Sequence, residues 1–278
     1  MTRPIRSALY MPASNPRAIM KARDLACDAV ILDLEDAVAP EEKPRARAAA
    51  VAAAREGGFG GRTLVVRVNA IDTEWGAADL VAVAGVGFDA VLVPKVDGPG
   101  DVHRYAAAIG DTALWIMIET CRSVFALEPL AACAHDAALT TFVLGTNDLA
   151  KEMRARLTPE RAPFLPFLAH AVAAARIHGL SVLDGVYNAI DDADGFARAC
   201  AQSVEYGCDG RTLIHPSQIA ACNAAFSPGE AEIAHACAIV AAFDLPENRD
   251  KGAVRVGGAM AERLHLAEAQ RTLALAER

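Results

Sequence analysis

The sequence lacks the features that hold small secreted proteins together. Its seven cysteines are an odd number, and no two of them form a C-x-x-C pair. The start of the chain, MTRPIRSALYMPASN, contains an apolar stretch too short for a secretory signal. This excludes a disulfide scaffold, and we expect reduced thiols in a cytosolic protein.

Positive charge and long apolar runs are also scarce. Lys and Arg number 27 against 35 Asp and Glu, which gives a formal net charge of −8. This balance argues against a general nucleic-acid or anionic-membrane binder, so an anionic ligand would need a local basic patch. No segment approaches the roughly 18 apolar residues that a membrane span requires. We therefore expect no nucleic-acid partner and no membrane partner.

Two familiar ligand-binding patterns are missing as well. The histidines show neither H-x-x-x-H spacing nor the cysteine-plus-histidine spacing of a zinc site. The glycine cluster GGFGG (57–61) lies between a helix and a strand, whereas the dinucleotide fingerprint lies between a strand and a helix. We interpret the cluster as a flexible connection.

What the sequence does contain is a regular alternation of short apolar runs with Ala-rich helical segments. Such alternation predicts parallel strands joined by helices, in a closed barrel or a doubly wound open sheet. Polar residues follow nearly every run, and only a barrel gathers all strand ends around one mouth. We predict an α/β fold, a (β/α)₈ TIM barrel over residues 1–226, with strands SALYMP (7–12), AVILDLE (29–35), TLVVRVN (63–69), AVLVPK (90–95), ALWIMIE (113–119), LTTFVLG (139–145), LSVLDGV (180–186) and RTLIHP (211–216).

Residues 227–278 fall outside this eightfold count. They predict a helix over 228–243, a short strand over 253–256 and a final helix from residue 258 onward. The final helix would carry an apolar stripe that needs a cover, formed by Met260, Leu264, Leu266 and Leu273. We predict a C-terminal helical extension that covers a neighbouring subunit, with docking on its own barrel as the alternative.

Two carboxylates close neighbouring strands. Glu119 ends LWIMIE, and Asp148 follows TTFVLGTN. Each alone has another interpretation, because Glu119 could form a salt bridge at a helix start and Asp148 could cap a helix. Together, at the ends of the fifth and sixth strands, they form an oxygen-rich pair suited to Mg²⁺.

Charged residues also lie near the ends of the second and third strands. Arg67 lies inside the apolar strand VVRVN, where a guanidinium is costly unless an anion meets it. It could pair with Glu35 or Asp36 of the run AVILDLEDAV, bind a carboxylate or enolate oxygen of a ligand, or do both.

Four further residues are candidates for ligand contacts. Tyr10 lies near the end of the first strand, and His215 ends the eighth strand just before Pro216. Arg17 and Lys21 are four residues apart on one helical face. They could form a local basic clamp for a phosphorylated ligand or a solvated surface, and His215 could line the pocket.

These motifs together resemble the citrate lyase beta-subunit-like family of the HpcH/HpaI aldolase superfamily, which includes malyl-CoA and citramalyl-CoA lyases. The resemblance spans almost the whole chain, and its motifs occur in family order. They are ALYMPASNPRAIMKA, AVILDLEDAVAPEEK, VVRVNAIDTEWG, AVLVPKV, WIMIET, LGTNDLAKEM, DGVYNAI, LIHPSQI and GGAMAERLHLAEAQRTL.

The resemblance implies a barrel that binds Mg²⁺, with Mn²⁺ as an alternative, and an acyl-CoA. It implies Glu119 and Asp148 as metal ligands, Arg67 as a substrate contact, Glu35 and Asp36 around the metal and the arginine, and Tyr10, Arg17 and Lys21 at the acyl-CoA. Many relatives have an Asp in a C-terminal MID segment that a neighbouring subunit contributes as general acid/base. Here the segment reads MAE and supplies Glu262.

The resulting prediction is a cytoplasmic, Mg²⁺-dependent lyase that cleaves or forms the carbon–carbon bond of malyl-CoA, citramalyl-CoA or a similar 3-hydroxyacyl-CoA carboxylate. The products would be a 2-oxoacid and acetyl-CoA or propionyl-CoA. Arg67 would stabilise the enolate, and Glu262 would move the proton. The alternatives are a (3S)-malyl-CoA thioesterase with the same metal site and a citrate lyase beta subunit of a larger complex. We expect a homotrimer or homohexamer.

Overall fold

The computed structural model describes residues 4–276 and contains a closed barrel of eight parallel strands, β1 to β8 in chain order, which confirms the predicted fold. The register closes where Ser7 of the first strand pairs with Arg211 of the last. Each strand overlaps one predicted apolar run; the last strand begins one residue before its run, and most strands end one or two residues before the run does. The strands are β1 Ser7–Pro12, β2 Ala29–Asp33, β3 Thr63–Arg67, β4 Ala90–Val93, β5 Ala113–Ile118, β6 Leu139–Leu144, β7 Ser181–Asp184 and β8 Gly210–Leu213.

Alternate strand residues form one apolar cluster of the barrel, with Ile31, Val65 and Met117 among its members. Because strand side chains alternate between two faces, the residue two positions further on shares the face of each. Those residues are Asp33, Arg67 and Glu119. The apolar series of three strands therefore ends on a charged group at the C-terminal end of the barrel, where barrel enzymes place their active sites.

Helices connect the strands, and local capping fixes several of their starts. The Asn15 side chain accepts a hydrogen bond from the backbone N–H of Ala18, and Thr120 forms a capping box with Ser123. The helices are α1 Pro16–Ala22, α2 Lys43–Glu56, α3 Gly76–Val83, α4 Pro99–Ile109, α5 Cys121–Phe125, α6 Leu127–Ala132, α7 Thr146–Met153, α8 Leu165–Ile177, α9 Ala193–Glu205, α10 Ile219–Ala225, α11 Glu230–Asp244 and α12 Arg263–Ala276.

The chain divides into two compact units, of which the first ends at Asn223 and the second begins at Ala224. The second unit contains α11, α12 and a hairpin of β9 Ala253–Val256 with β10 Ala259–Glu262. Its apolar core is formed by Ala236, Ile239, Phe243, Val254, Ala261 and Ala269. Residues 1–3 and 277–278, at the outer ends of the two predicted domains, lie outside the described residues.

The start of the final helix differs from the prediction. Gly257 and Gly258 both have positive φ, 57° and 89°, and they turn the chain into β10. Two consecutive glycines with positive φ are typical of a tight hairpin turn. Met260 and Glu262 therefore lie on a strand, and the helix begins only at Arg263.

The predictions about the cysteines and about membrane spans can be compared with the structure. All seven cysteines lie within the described residues, and none of them forms a disulfide. No helix within residues 4–276 combines the length and hydropathy that a membrane span needs.

Candidate functional site

A cavity of about 300 Å³ opens at the C-terminal ends of the strands. Its wall combines apolar side chains with charged and amide groups, as ligand sites commonly do. The lining residues are Tyr10, Asp33, Asp36, Ala37, Arg67, Met117, Leu144, Gly145, Thr146, Asn147, Asp148, Val186, Asn188, Thr212 and Ile214. The mouth of the barrel is therefore the candidate active site.

Arg67 is buried and forms the centre of a carboxylate cluster. Its Nε lies 2.7 Å from Asp33 Oδ1 and its Nη2 lies 2.6 Å from Asp33 Oδ2, so the pair is bidentate. Its Nη1 lies 2.8 Å from Glu35 Oε2 and 3.4 Å from Asp36 Oδ2. Its Cζ lies 4.7 Å from the centroid of the Tyr10 ring. The guanidinium is thus fixed in orientation from three sides.

The loop that carries the acidic residues is itself held in place. Asp33 accepts hydrogen bonds from the backbone N–H groups of Glu35 and Ala37. The buried Lys43 donates to the carbonyls of Leu34 and Glu35, and also to Asn69 Oδ1 at 2.6 Å. These contacts preorganise the loop, so Glu35 is positioned before any ligand arrives.

Burial changes the ionisation of two groups in this cluster. It raises the pKa of Glu35 to about 8, with Asp36 adding to the rise and Arg67 opposing it. The Arg67 guanidinium already pairs with Asp33. It therefore does not compensate fully for the cost of burying a charged Glu35 carboxylate as well. Burial also raises the pKa of the Tyr10 phenol, whose hydroxyl contacts Met117 Sδ at 3.6 Å.

Glu119, directly after β5, is almost completely buried, with 1% of its side chain exposed. Its Oε1 accepts a hydrogen bond from the backbone N–H of Lys95 at 2.9 Å, whereas its buried Oε2 has no hydrogen-bond partner within residues 4–276. A Cβ at Gly145 would lie 2.4 Å from Glu119 Cβ and 2.7 Å from Oε2. Glycine at this position therefore leaves the room that the carboxylate occupies.

Asp148 lies in the first turn of α7, and Gly145 is the residue at the N-cap position. The alternative interpretation of Asp148 as a helix cap is therefore wrong. The Lys95 ammonium bridges the two acidic residues, at 3.1 Å from Glu119 Oε1 and 3.0 Å from Asp148 Oδ1. Burial alone would lower the pKa of Lys95, but the two carboxylates outweigh it and the pKa is raised.

The donor set of this pair fits a hard divalent cation. Glu119 and Asp148 offer carboxylate oxygens, which Mg²⁺ prefers. Glu119 Oε2 has no partner in the part of the chain that the structure describes; a buried carboxylate oxygen of this kind is unusual in a folded protein and has a natural partner in a metal ion. The residues present are therefore able to hold Mg²⁺.

Three of the predicted residues, Arg17, Lys21 and His215, are not among those that line this cavity, and Glu262 belongs to the second unit. Arg17 and Lys21 are exposed on α1, the short helix that follows the mouth end of β1. His215 is exposed, and its Nδ1 accepts a hydrogen bond from the backbone N–H of Ser217. Glu262 is exposed on β10 of the second unit, where its backbone N–H donates to His265 Nδ1. Their roles stay predictions.

Sequence reasoning missed two residues of the site. Asp33 is the closest partner of Arg67, whereas the sequence pattern predicts only Glu35 or Asp36 for that role. Lys95 is the last residue of the run AVLVPK, to which no function was assigned, yet it bridges Glu119 and Asp148. The period-two pattern could have found Asp33, because it shares the face of Ile31.

Two other clusters do not contribute to the mouth. Asp184 at the end of β7 is completely buried, and its carboxylate pairs with Arg161 and Arg211. On the outer layer of the barrel, His103, Cys133 and Asp136 approach within 4.8 Å of one another. Burial raises the pKa of the Cys133 thiol, which lies 3.5 Å from the Pro129 carbonyl oxygen.

Comparison with known proteins gives a consistent result. The model of the family HpcH/HpaI aldolase/citrate lyase matches residues 6–216. A (3S)-malyl-CoA thioesterase of Cereibacter sphaeroides (strain KD131 / KCTC 12085) is 46% identical over 99% of this chain and 95% of its own. An L-malyl-CoA/beta-methylmalyl-CoA lyase of Cereibacter sphaeroides (strain ATCC 17029 / ATH 2.4.9) is 30% identical over 96% of this chain and 93% of its own.

Among solved structures, CitE from Mycobacterium tuberculosis in complex with magnesium, acetoacetate and coenzyme A has a TM-score of 0.81 to this chain. The two chains are 28% identical, and the match covers 100% of each. The likeness therefore extends over both compact units.

Proposed function

This chain belongs to the HpcH/HpaI aldolase/citrate lyase family, a family of CoA-ester lyases, and we propose that it is a Mg²⁺-dependent enzyme acting on malyl-CoA or a close relative. The observation that carries the proposal is the carboxylate pair Glu119 and Asp148 at a barrel mouth that also presents the buried Arg67. An acidic pair next to a fixed guanidinium suits a substrate with anionic oxygens and a thioester carbonyl.

Glu119 and Asp148 would hold the metal ion. When bound, Mg²⁺ supplies Lewis-acid polarisation of a substrate oxygen. The magnesium in the related CitE structure supports this assignment.

The proposed reaction is hydrolysis of the thioester. A water oxygen forms the new bond to the thioester carbon, the carbon–sulfur bond breaks, and CoA leaves as the thiol with a proton from the water. The support is the 46% identity to (3S)-malyl-CoA thioesterase over 99% of this chain, against 30% for the carbon–carbon lyase. This was the first alternative of the sequence analysis.

Arg67 has the same task in either reaction. Its Nη1 faces the acidic loop, and Asp33 and Tyr10 hold its guanidinium plane at the cavity wall. A fixed cation at that position stabilises negative charge that develops on the thioester oxygen. Glu262 would move the proton, if the second unit brings it to a barrel mouth.

Carbon–carbon cleavage is the second candidate, and family membership favours it. It would release glyoxylate or pyruvate and leave acetyl-CoA or propionyl-CoA. The third candidate, a citrate lyase beta subunit that works only within a complex, requires that the chain alone be inactive on a free acyl-CoA.

Two further parts of the proposal concern binding and assembly. Arg17 and Lys21 are exposed on one face of α1, where they would contact the phosphates of CoA. The second unit would cover the mouth of a neighbouring subunit in a homotrimer or homohexamer.

Product analysis tests the proposal. The protein is incubated with Mg²⁺ and malyl-, methylmalyl- or citramalyl-CoA, and the products are identified by mass. We expect free malate from malyl-CoA, and we expect Glu119→Gln and Asp148→Asn to lower the rate by orders of magnitude. Glyoxylate instead of malate would favour the lyase, and inactivity of the chain with all three thioesters would contradict both activities.

A further inference from the structure

Lys95 lies two residues after the end of β4 and has an unusual backbone conformation. Its φ is +54°, in the left-handed region that non-glycine residues seldom adopt. In this conformation its backbone N–H donates to Glu119 Oε1 at 2.9 Å. Strained backbone that persists at a ligand site often has a functional reason.

The Lys95 side chain returns to the same carboxylate. Its Nζ lies 3.1 Å from Glu119 Oε1 and 3.0 Å from Asp148 Oδ1. One cation thus bridges the two carboxylates that the proposed function assigns to Mg²⁺. The side chain is 40% exposed, against 1% for Glu119, so the ammonium can leave the bridge without unfolding its surroundings.

We propose that Lys95 competes with Mg²⁺ for Glu119 and Asp148 and thereby sets the metal affinity of the site. The inference rests on the proposed function, because that function places the metal at these two carboxylates. Two carboxylates have a charge of −2, and the bridging ammonium reduces it to −1. The affinity of an oxygen site for a divalent cation depends on this ligand charge.

The competition would also couple the binding of the metal to the binding of the substrate. A displaced ammonium on a flexible four-carbon stem stays near the mouth, where the carboxylate of a malyl group gives it a new partner. Each anion that binds Lys95 frees Glu119 and Asp148 for the metal. Mg²⁺ is therefore expected to bind weakly alone and more tightly with a dicarboxylate present.

A purely supporting role for Lys95 makes the opposite prediction. If the lysine only oriented the two carboxylates for the metal, its removal would loosen them and weaken Mg²⁺ binding. If it competes, its removal strengthens binding. The sign of the change decides between the two roles.

The test is calorimetric titration of Mg²⁺ into the wild type, Lys95→Met and Lys95→Gln. The matched control is Lys151→Met, which removes one positive charge from an exposed position of α7, the helix of Asp148. We expect a dissociation constant about tenfold lower in both Lys95 variants, and less than about a twofold change in the control. Thermal unfolding of each protein checks that it is folded. If Lys95→Met does not fold, Lys95→Gln alone provides the comparison with the wild type.

A second titration is made in the presence of malate. Malate should clearly lower the dissociation constant of Mg²⁺ from the wild type. It should lower the dissociation constant of Mg²⁺ from the Lys95 variants much less. Unchanged or weaker Mg²⁺ binding in the Lys95 variants would overturn the inference while leaving the metal site intact. If the wild type shows no Mg²⁺ binding that Glu119→Gln removes, the proposed metal site itself is wrong, and the inference falls with it.

Discussion

At the scale of single residues, folding changes the ionisation of the Glu35 carboxyl. Burial raises its pKa from 4.5 to about 8. Between about pH 4.5 and pH 8 the folded protein therefore keeps a proton on Glu35 that the unfolded chain has already released. The free energy of unfolding falls across this range because of Glu35, and the loss is constant above about pH 8. Replacement by glutamine removes this cost.

We therefore expect the free energy of unfolding of Glu35→Gln, relative to the wild type, to rise from pH 5 to pH 8 and to level off above. Urea denaturation at each pH measures it. Glu205→Gln, the same substitution at an exposed position of α9, is the control. A difference that is flat or falls with pH would show that the ion pair with Arg67 keeps Glu35 charged.

Arg17 and Lys21 allow a separate test of the acyl-CoA contact. If both bind CoA phosphates, Arg17→Ala/Lys21→Ala should raise KM several-fold, with a smaller effect on kcat. The increase should shrink at high ionic strength, because phosphate contacts are screened. Steady-state kinetics at two salt concentrations measures this, with Arg45→Ala/Arg55→Ala on the exposed face of α2 as the control. Equal KM values for both double variants would place Arg17 and Lys21 outside the binding site.

Among the elements, the eight barrel strands were predictable because each is a short apolar run with a polar end. The second strand of the C-terminal hairpin, β10, could not be predicted in this way. Its residues AMAE have good helix formers and lie next to the helix RLHLAEAQRTLALA, so propensity favours one continuous helix. The glycine pair at 257–258 was the available sign of a turn.

Lys95 shows why part of the site could not be predicted. Leu92 belongs to the apolar cluster of the barrel, so strict alternation would place residue 95 on the opposite face. The positive φ of Lys95 breaks that alternation and lets the side chain reach Glu119. Such a turn depends on tertiary contacts that a sequence pattern does not contain.

The junction between β6 and α7 provides a test at the level of elements. Gly145→Ala places a methyl group 2.4 Å from Glu119 Cβ and 2.7 Å from its Oε2, so the carboxylate has to move. We expect at least about a tenfold weaker Mg²⁺ affinity and a comparable loss of activity, since a 1 Å displacement can cost that much. Calorimetric titration of Mg²⁺ and steady-state rates measure the two effects.

Gly100→Ala is the matched control, because a Cβ at Gly100 in α4 would meet no atom of the described residues within 4 Å. It should leave metal affinity and rate unchanged. Wild-type metal affinity in Gly145→Ala would mean that Glu119 is not a ligand.

At the scale of the whole molecule, residues 224–278 have their own apolar core, and Glu262 lies on their hairpin. If each active site combines one barrel with the second unit of a neighbour, Arg67→Ala and Glu262→Ala damage complementary halves. Mixing the two inactive proteins under conditions of subunit exchange should restore part of the activity. Exchange verified by mass without any recovered activity would show that the site is not shared.

The most direct test of the account is hydrolysis of malyl-CoA in water enriched in ¹⁸O, with Mg²⁺ present. If the barrel mouth hydrolyses the thioester, mass spectrometry will find malate carrying one ¹⁸O atom in its new carboxylate, formed in equal amount to free CoA, and Arg67→Ala will abolish both. Glyoxylate and acetyl-CoA with no labelled malate would contradict the account.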